Sequence, residues 1–115
     1  MSNMSSIDPI FTFINVFTCE PADQEKLANV LCSATDEVVR HIPGFLSARI
    51  HVSIDGRRVA NYAQWHTVDA FHSFLSSDSG RDLMRAVHNY SLAMDIHLYK
   101  EGSNYSGPST SREVS

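Results

Sequence analysis

An α+β fold with the element order βαββαβ is what this sequence predicts, and three observations carry that expectation. Four segments alternate apolar side chains with the period of a strand. Two others repeat apolar residues at three- and four-residue steps, and an Asp-Gly pair stands between the second and third alternating segments. At 115 residues with 43% hydrophobic content, the chain is long enough for one domain around one core.

Residues 1–9, which begin MSNMSSID, are polar and expected to be flexible. From Ile10 to Cys19 the chain alternates, with Phe11, Phe13, Asn15 and Phe17 on one face and Ile10, Thr12, Ile14 and Val16 on the other. Its β-branched and aromatic content makes it the first strand, and two largely apolar faces make it a central one. Pro21 then opens a helix with Asp23 and Glu25 in its first turn, where the helix dipole favours acidic groups. Leu27, Leu31, Ala34, Val38 and Ile42 form its apolar stripe, and Pro43-Gly44 ends it.

In FLSARIHVSI, Leu46, Ala48, Ile50 and Val52 alternate with Ser47, Arg49, His51 and Ser53, a strand with one apolar and one polar face. Asp55-Gly56 is a two-residue hairpin signal leading into RRVANYAQW, the third strand. Thr67 can cap the next helix, whose stripe is Phe71, Phe74 and Leu75. SSDSG at 76–80 interrupts it before Leu83, Met84 and Val87 resume the helical period. Met94, Ile96 and Leu98 alternate in the last strand, 93–99, and the polar tail 101–115 is expected to be disordered.

Two βαβ-like halves joined under the right-handed crossover rule give a ferredoxin-like sandwich over residues 10–100, with strands one and three adjacent at its centre. Asn15 and Asn61 then fall side by side on one sheet face. Helices cover only one side of such a sheet. Strand one is apolar on both faces, so a second copy of the chain is expected against the other side, making a homodimer.

Several function classes are excluded or disfavoured. The net charge is −4 with no Lys/Arg block, which speaks against nucleic acid as a partner. No run approaches a membrane span and no signal peptide opens the chain, so a cytoplasmic protein without a membrane partner is expected. Cys19 and Cys32 are too few for a disulfide framework. GxGxxG, GxxxxGK[ST], HExxH, CxxC and GxSxG are all absent, and no two histidines stand three or four residues apart. No metal and no nucleotide-type cofactor is therefore expected.

What remains is NYAQW at 61–65, where alternation sets Asn61, Ala63 and Trp65 on one strand face. Apolar packing alone would call for Val, Ile or Leu there. Asn15 and Phe17 share the neighbouring face, and Phe71, Phe74, Met84 and other apolar residues of the broken helix stand opposite. Arg85 and His88 adjoin that stripe and could reach the edge of a cavity. Rings to stack on and a few amide donors suit a flat organic ligand. A satisfied core is the alternative for Asn61 and Trp65, a solvent-facing position for His51, and a solvated helix charge for Arg85.

Together, FTFINVFTCEPADQEKL, VVRHIPGFLSARIHVSIDGRRVANYAQWHTVDAF and the closing HLY resemble the antibiotic biosynthesis monooxygenase family across residues 10–100. The block PGFLSARIHVSIDG…VANYAQW is the most specific part. The resemblance implies a dimeric α+β barrel of ferredoxin-like subunits. It also implies an activity: cofactor-free oxidation of anthrone-type polyketides to quinones, with molecular oxygen as co-substrate. Asn61 and Trp65 would then be catalytic, with Arg85 and His51 as further members. Asn15, Phe17, Ala63, Phe71, Phe74, Met84 and His88 would contact substrate. Some such enzymes place a tyrosine where this chain has Phe71, and Tyr62 faces away from Trp65.

Two rivals share the fold. A polyketide cyclase or a non-catalytic ligand-binding protein is the first. Haem-binding members are the second: they carry an asparagine resembling Asn15, but also an axial histidine and a tryptophan on the second helical segment. Here Phe74 stands near the tryptophan position and His88 falls several residues late.

Overall fold

A computed structural model describes residues 10–108. Its elements run β1 (Phe11–Thr18), α1 (Gln24–Glu37), β2 (Phe45–Val52), β3 (Arg58–Trp65), α2 (Val68–Ser76), α3 (Asp78–His88) and β4 (Ala93–Lys100). The four strands form one antiparallel sheet in the order β2-β3-β1-β4, with the helices on one face. This is the expected ferredoxin-like topology. Asn15 and Asn61 are Cα partners in the central pair, so alternation and topology place them side by side as anticipated.

The helix starts follow from local chemistry. Pro21 opens a 3-10 turn, Pro21–Asp23, that leads into α1. The Gln24 amide donates to the carbonyls of Ser53 (2.9 Å) and Arg58 (3.0 Å), tying that start to the β2–β3 turn. Thr67 caps α2 by accepting from the Ala70 N–H at 3.1 Å, as the sequence suggests. Ser77 both donates to the Phe74 carbonyl (2.6 Å) and accepts from the Gly80 N–H (3.1 Å), so one hydroxyl ends α2 and starts α3.

Three local expectations are corrected. The stripe of α1 was expected to continue through Val38 to Ile42, but the α-helix ends at Glu37 and a 3-10 turn, Val39–His41, follows. The adjacent β-branched pair Val38-Val39 crowds a helical turn, and it is Val39 that becomes buried. In β2, Leu46 was expected on the apolar face. A bulge between Phe45 and Ser47 inserts one residue, so Phe45 joins Ala48 inside and Leu46 is exposed. The Asp55-Gly56 turn is also longer than two residues, since β2 ends at Val52 and β3 begins at Arg58. Gly56 takes φ +81° there. The Ser53 hydroxyl and the Arg57 N–H both hydrogen-bond the Asp55 carboxylate and hold its pKa below the ordinary value.

The core is in two halves. One gathers Phe11, Val39, Ala63, Trp65, Phe71 and Phe74, and the other Phe17, Cys19, Leu27, Leu31, Val59 and Val87, with Leu83 touching both. On β4, Met94, Ile96 and Leu98 face the helix side in register with Phe17, Asn15 and Phe13, yet keep 39%, 37% and 44% of their surface exposed. The helices stop short of this edge. Residues 101–108 have no helix or strand and are exposed. The expectations for residues 1–9 and for 109–115 of the tail lie outside the described residues.

Candidate active site

The two half-cores are separated by a cavity of about 250 Å³. Its floor is the inner face of the sheet: Phe13, Asn15 and Phe17 from β1, Asn61, Ala63 and Trp65 from β3, Phe45 and Ala48 from β2, and Met94 and Ile96 from β4. Leu31, Thr35 and Val39 close it on one side, and Phe71, Phe74, Leu75, Leu83, Met84 and Val87 on the other. Phe71 is the hub of the aromatic wall, with ring centroids 5.7 Å from Phe11, 4.9 Å from Phe13 and 5.8 Å from Trp65. Two of these contacts are edge-on and the one to Phe13 is tilted, arrangements that aromatic quadrupoles favour over face-to-face stacking.

Four lining residues carry polar side-chain atoms. Thr35 is satisfied, its hydroxyl donating to the Leu31 carbonyl at 2.8 Å. The other three are not: Asn15 Oδ1, Asn61 Oδ1 and Trp65 Nε1 are buried without a hydrogen-bond partner within the protein. A buried polar group left wholly unpaired costs about 1–3 kcal/mol, and such groups are ordinarily paired with protein, water or ligand. As directly opposed residues of neighbouring strands, Asn15 and Asn61 have Cβ atoms only about 4.5–5.5 Å apart. The arrangement offers two amides and an indole N–H, held close together in an apolar enclosure. No titratable side chain lines it.

Of the residues singled out from sequence, Asn15, Phe17, Asn61, Ala63, Trp65, Phe71, Phe74 and Met84 come together in this lining. Three do not. His51 pairs with Ala60 on the opposite face of the sheet and is exposed. Arg85 lies on the solvent side of α3, its guanidinium 2.8 Å from Asp82. It follows Met84 directly, and one residue along a helix turns the side chain by about 100°. His88 is exposed beside a small neighbouring hollow that shares only Val87 and Met94 with the cavity. Phe45 and Val39 were missed because the bulge and the early end of α1 reset their directions, and Thr35 because a polar residue one helical turn after Leu31 does not register in an apolar stripe. Met94 and Ile96 carried a usable signal, since alternation in β4 already set them on one face.

Residues 10–86 match the antibiotic biosynthesis monooxygenase family. The chain belongs to that family. The tetracenomycin-F1 monooxygenase of Streptomyces glaucescens is 41% identical over 73 residues, which is 64% of this chain and 65% of that protein. The match thus spans just under two thirds of that relative's length. A monooxygenase from the ActVA-Orf6 gene of Streptomyces coelicolor, solved in complex with nanaomycin D, superposes with a TM-score of 0.76 at 26% identity. That superposition covers 92% of this chain and 99% of that one. SnoaB of Streptomyces nogalater, described as a cofactor-independent oxygenase, gives a TM-score of 0.68 at 24% identity over 88% and 99% of the two chains, a likeness of fold. Among the described residues of this antibiotic biosynthesis monooxygenase family member, no helix is long and apolar enough to cross a membrane. Nor do three or more His, Cys, Asp or Glu side chains cluster there as a metal site.

Proposed function

We propose that the chain is a cofactor-independent monooxygenase that uses O₂ to oxidise a flat aromatic polyketide of the anthrone type to a quinone. The observation that carries this reading is the set of three unpartnered polar atoms, Asn15 Oδ1, Asn61 Oδ1 and Trp65 Nε1, inside a cavity of rings and aliphatic side chains. A hydroxylated anthrone supplies the missing partners: phenolic hydroxyls for the amide oxygens and a carbonyl oxygen for the indole N–H. The tetracenomycin and nanaomycin relatives support the substrate class.

The chemistry suits these groups. Loss of one proton from the anthrone methylene leaves its electron pair delocalised onto the carbonyl oxygen as an enolate. Trp65 Nε1–H and an amide N–H of Asn61 are the donors for that developing charge, in a site too apolar to screen them. The electron-rich carbon then reduces O₂ and bonds to it, giving a peroxide anion that takes a proton back from solvent to become a hydroperoxide. Departure of the second methylene proton and of hydroxide leaves a carbonyl, so CH₂ and O₂ become C=O and H₂O. With no titratable side chain in the lining, the first proton passes to solvent. The rate is expected to rise with pH along the ionisation curve of the substrate, and to move when a more acidic anthrone is used. A profile fixed at one pKa for all substrates would point to a protein base instead.

O₂ uptake with dithranol or emodin anthrone, without added metal or flavin, tests the activity. No rate above autoxidation would overturn the reading. The same lack of a titratable group favours non-catalytic binding over cyclisation as the alternative, which binding without O₂ uptake would identify. No histidine lines the cavity, so the haem reading lacks its axial ligand. Ala63 lies between Asn61 and Trp65 on the cavity floor. Ala63→Leu is expected to abolish ligand binding while leaving the circular dichroism spectrum unchanged, because the added carbons enter space rather than neighbours.

We also propose a homodimer through the uncovered sheet face, where Ile14, Val16, Ala60 and Tyr62 present apolar surface with no helix over it. Light scattering is expected to give twice the chain mass, and Val16→Arg, at the centre of that face, to give the monomer.

A further inference from the structure

A second hollow, about 490 Å³ and open to solvent, lies between α1 and β2. It shares Thr35, Phe45 and Ala48 with the cavity as a common wall. Ala48 offers only a methyl group to that wall, and the Thr35 hydroxyl is bound to its own helix. The ring of Phe45 is therefore the partition. It is half-buried and meets Trp65 edge-to-face at 5.3 Å. It also stands at an irregular point of the chain, between Gly44 at φ +99° and the bulge that begins β2.

At about 250 Å³, the cavity is smaller than the about 300–1,000 Å³ usual for pockets that enclose a drug-sized ligand. A bare tricycle is near its limit, and a longer or substituted ring system has to leave it somewhere. The hollow behind Phe45 has a polar rim, including Ser47 and an Arg40–Asp36 pair joined at 2.9 Å. The two charges of that pair cancel. A neutral hydroxyl or carbonyl group is suited to such a rim, whereas a free carboxylate would meet Asp36 as readily as Arg40.

We propose that Phe45 is the specificity-determining residue of the cavity, and that the hollow behind it is a second subsite. That subsite receives the hydroxylated or carbonyl-bearing end of a substrate longer than three rings. The proposal rests on the reading of the cavity as a site for flat aromatic substrates, and its test separates the two.

Cys32 provides a plug. It is exposed and lines the hollow but not the cavity. Cys19 is buried, and burial followed by the charges of Asp23, Glu20 and Asp55 raises its thiol pKa, so a maleimide reacts at Cys32. Binding is read without oxygen from quenching of Trp65, the single tryptophan of the chain. The two ligands are anthraquinone and a hydroxylated naphthacenequinone. Alkylation with N-benzylmaleimide is expected to weaken the four-ring ligand by at least about tenfold, the loss of roughly one ring's burial. Anthraquinone affinity should be unchanged, and Cys32→Ser should abolish the effect. Phe45→Ala, without alkylation, is expected to raise the ratio of four-ring to three-ring affinity by about tenfold.

Alkylation that weakens both ligands alike, or neither, overturns the subsite. An unchanged ratio in Phe45→Ala overturns the partition. If neither ligand binds the untreated protein, the reading of the cavity itself falls and takes the subsite with it.

Discussion

Asn61→Leu is expected to lower kcat for anthrone oxidation by about 10²–10³, the usual cost of one oxyanion donor, while raising the melting temperature of the ligand-free protein. The two effects come from the two ends of one side-chain amide. Its N–H acts on the enolate, and its Oδ1 has no hydrogen-bond partner within the protein. Replacing a buried unsatisfied polar group with an apolar group of similar shape is neutral or stabilising. Up to about 1–3 kcal/mol is recovered, and for a domain of this size each kcal/mol moves the melting temperature by about 4–8 °C. A group kept at such a cost to the free protein belongs to the bound state. Calorimetry and O₂ uptake on the same preparation check both signs. If activity and melting temperature fall together, Asn61 holds the structure and its place in the chemistry is lost. Trp65→Phe keeps one aromatic ring but removes the indole N–H together with the bulk of the second, buried ring, so a similar loss of kcat is expected with a lower melting temperature.

Gly80→Ala is expected to be among the most damaging single-methyl changes in the chain. A Cβ at Gly80 would land on the Phe74 carbonyl oxygen and come within 2.9 Å of the Leu75 Cα. Both obstacles are backbone, which cannot swing aside as a side chain would. The expected loss lies at or beyond the upper end of the about 1–3 kcal/mol typical of overpacking, measured as a lower urea midpoint. Because Phe74 and Leu75 line the cavity, ligand affinity should fall with it. Gly102→Ala, with nothing within 4 Å, is the matching control and should change neither. A Gly80→Ala protein as stable as the parent would mean that α2 and α3 are free to move apart.

Much of the fold was legible because its signals are periodic. Alternation in four strands and the crossover rule were enough to place Asn15 beside Asn61, and the Ser-rich interruption at 76–80 announced the break between α2 and α3. The errors come from features without period. A bulge has no compositional signature, so Leu46 read as inward until the register slipped at Phe45. A helix that ends six residues before its proline leaves the stripe intact on paper while Val39, rather than its neighbour, turns into the core. For the site, strand positions transferred well and helix positions less so. Two strand faces are 180° apart and hard to confuse, but Arg85 needed only one residue's rotation to leave the lining that Met84 occupies. His51 was placed on the polar face of its strand from the outset. Only the resemblance brought it toward the site, and the fold keeps it on the other side of the sheet.

The division of the core into two halves makes this protein mechanically soft at its centre. Hydrostatic pressure favours whichever state occupies less volume, and unfolding eliminates internal voids, with volume changes of about −20 to −100 mL/mol that grow with the void. A cavity of about 250 Å³ between two packed clusters should therefore let the ligand-free protein unfold at modest pressure. A bound ring system fills that space and joins the clusters into one. Pressure resistance is then expected to gauge occupancy of the cavity without any turnover.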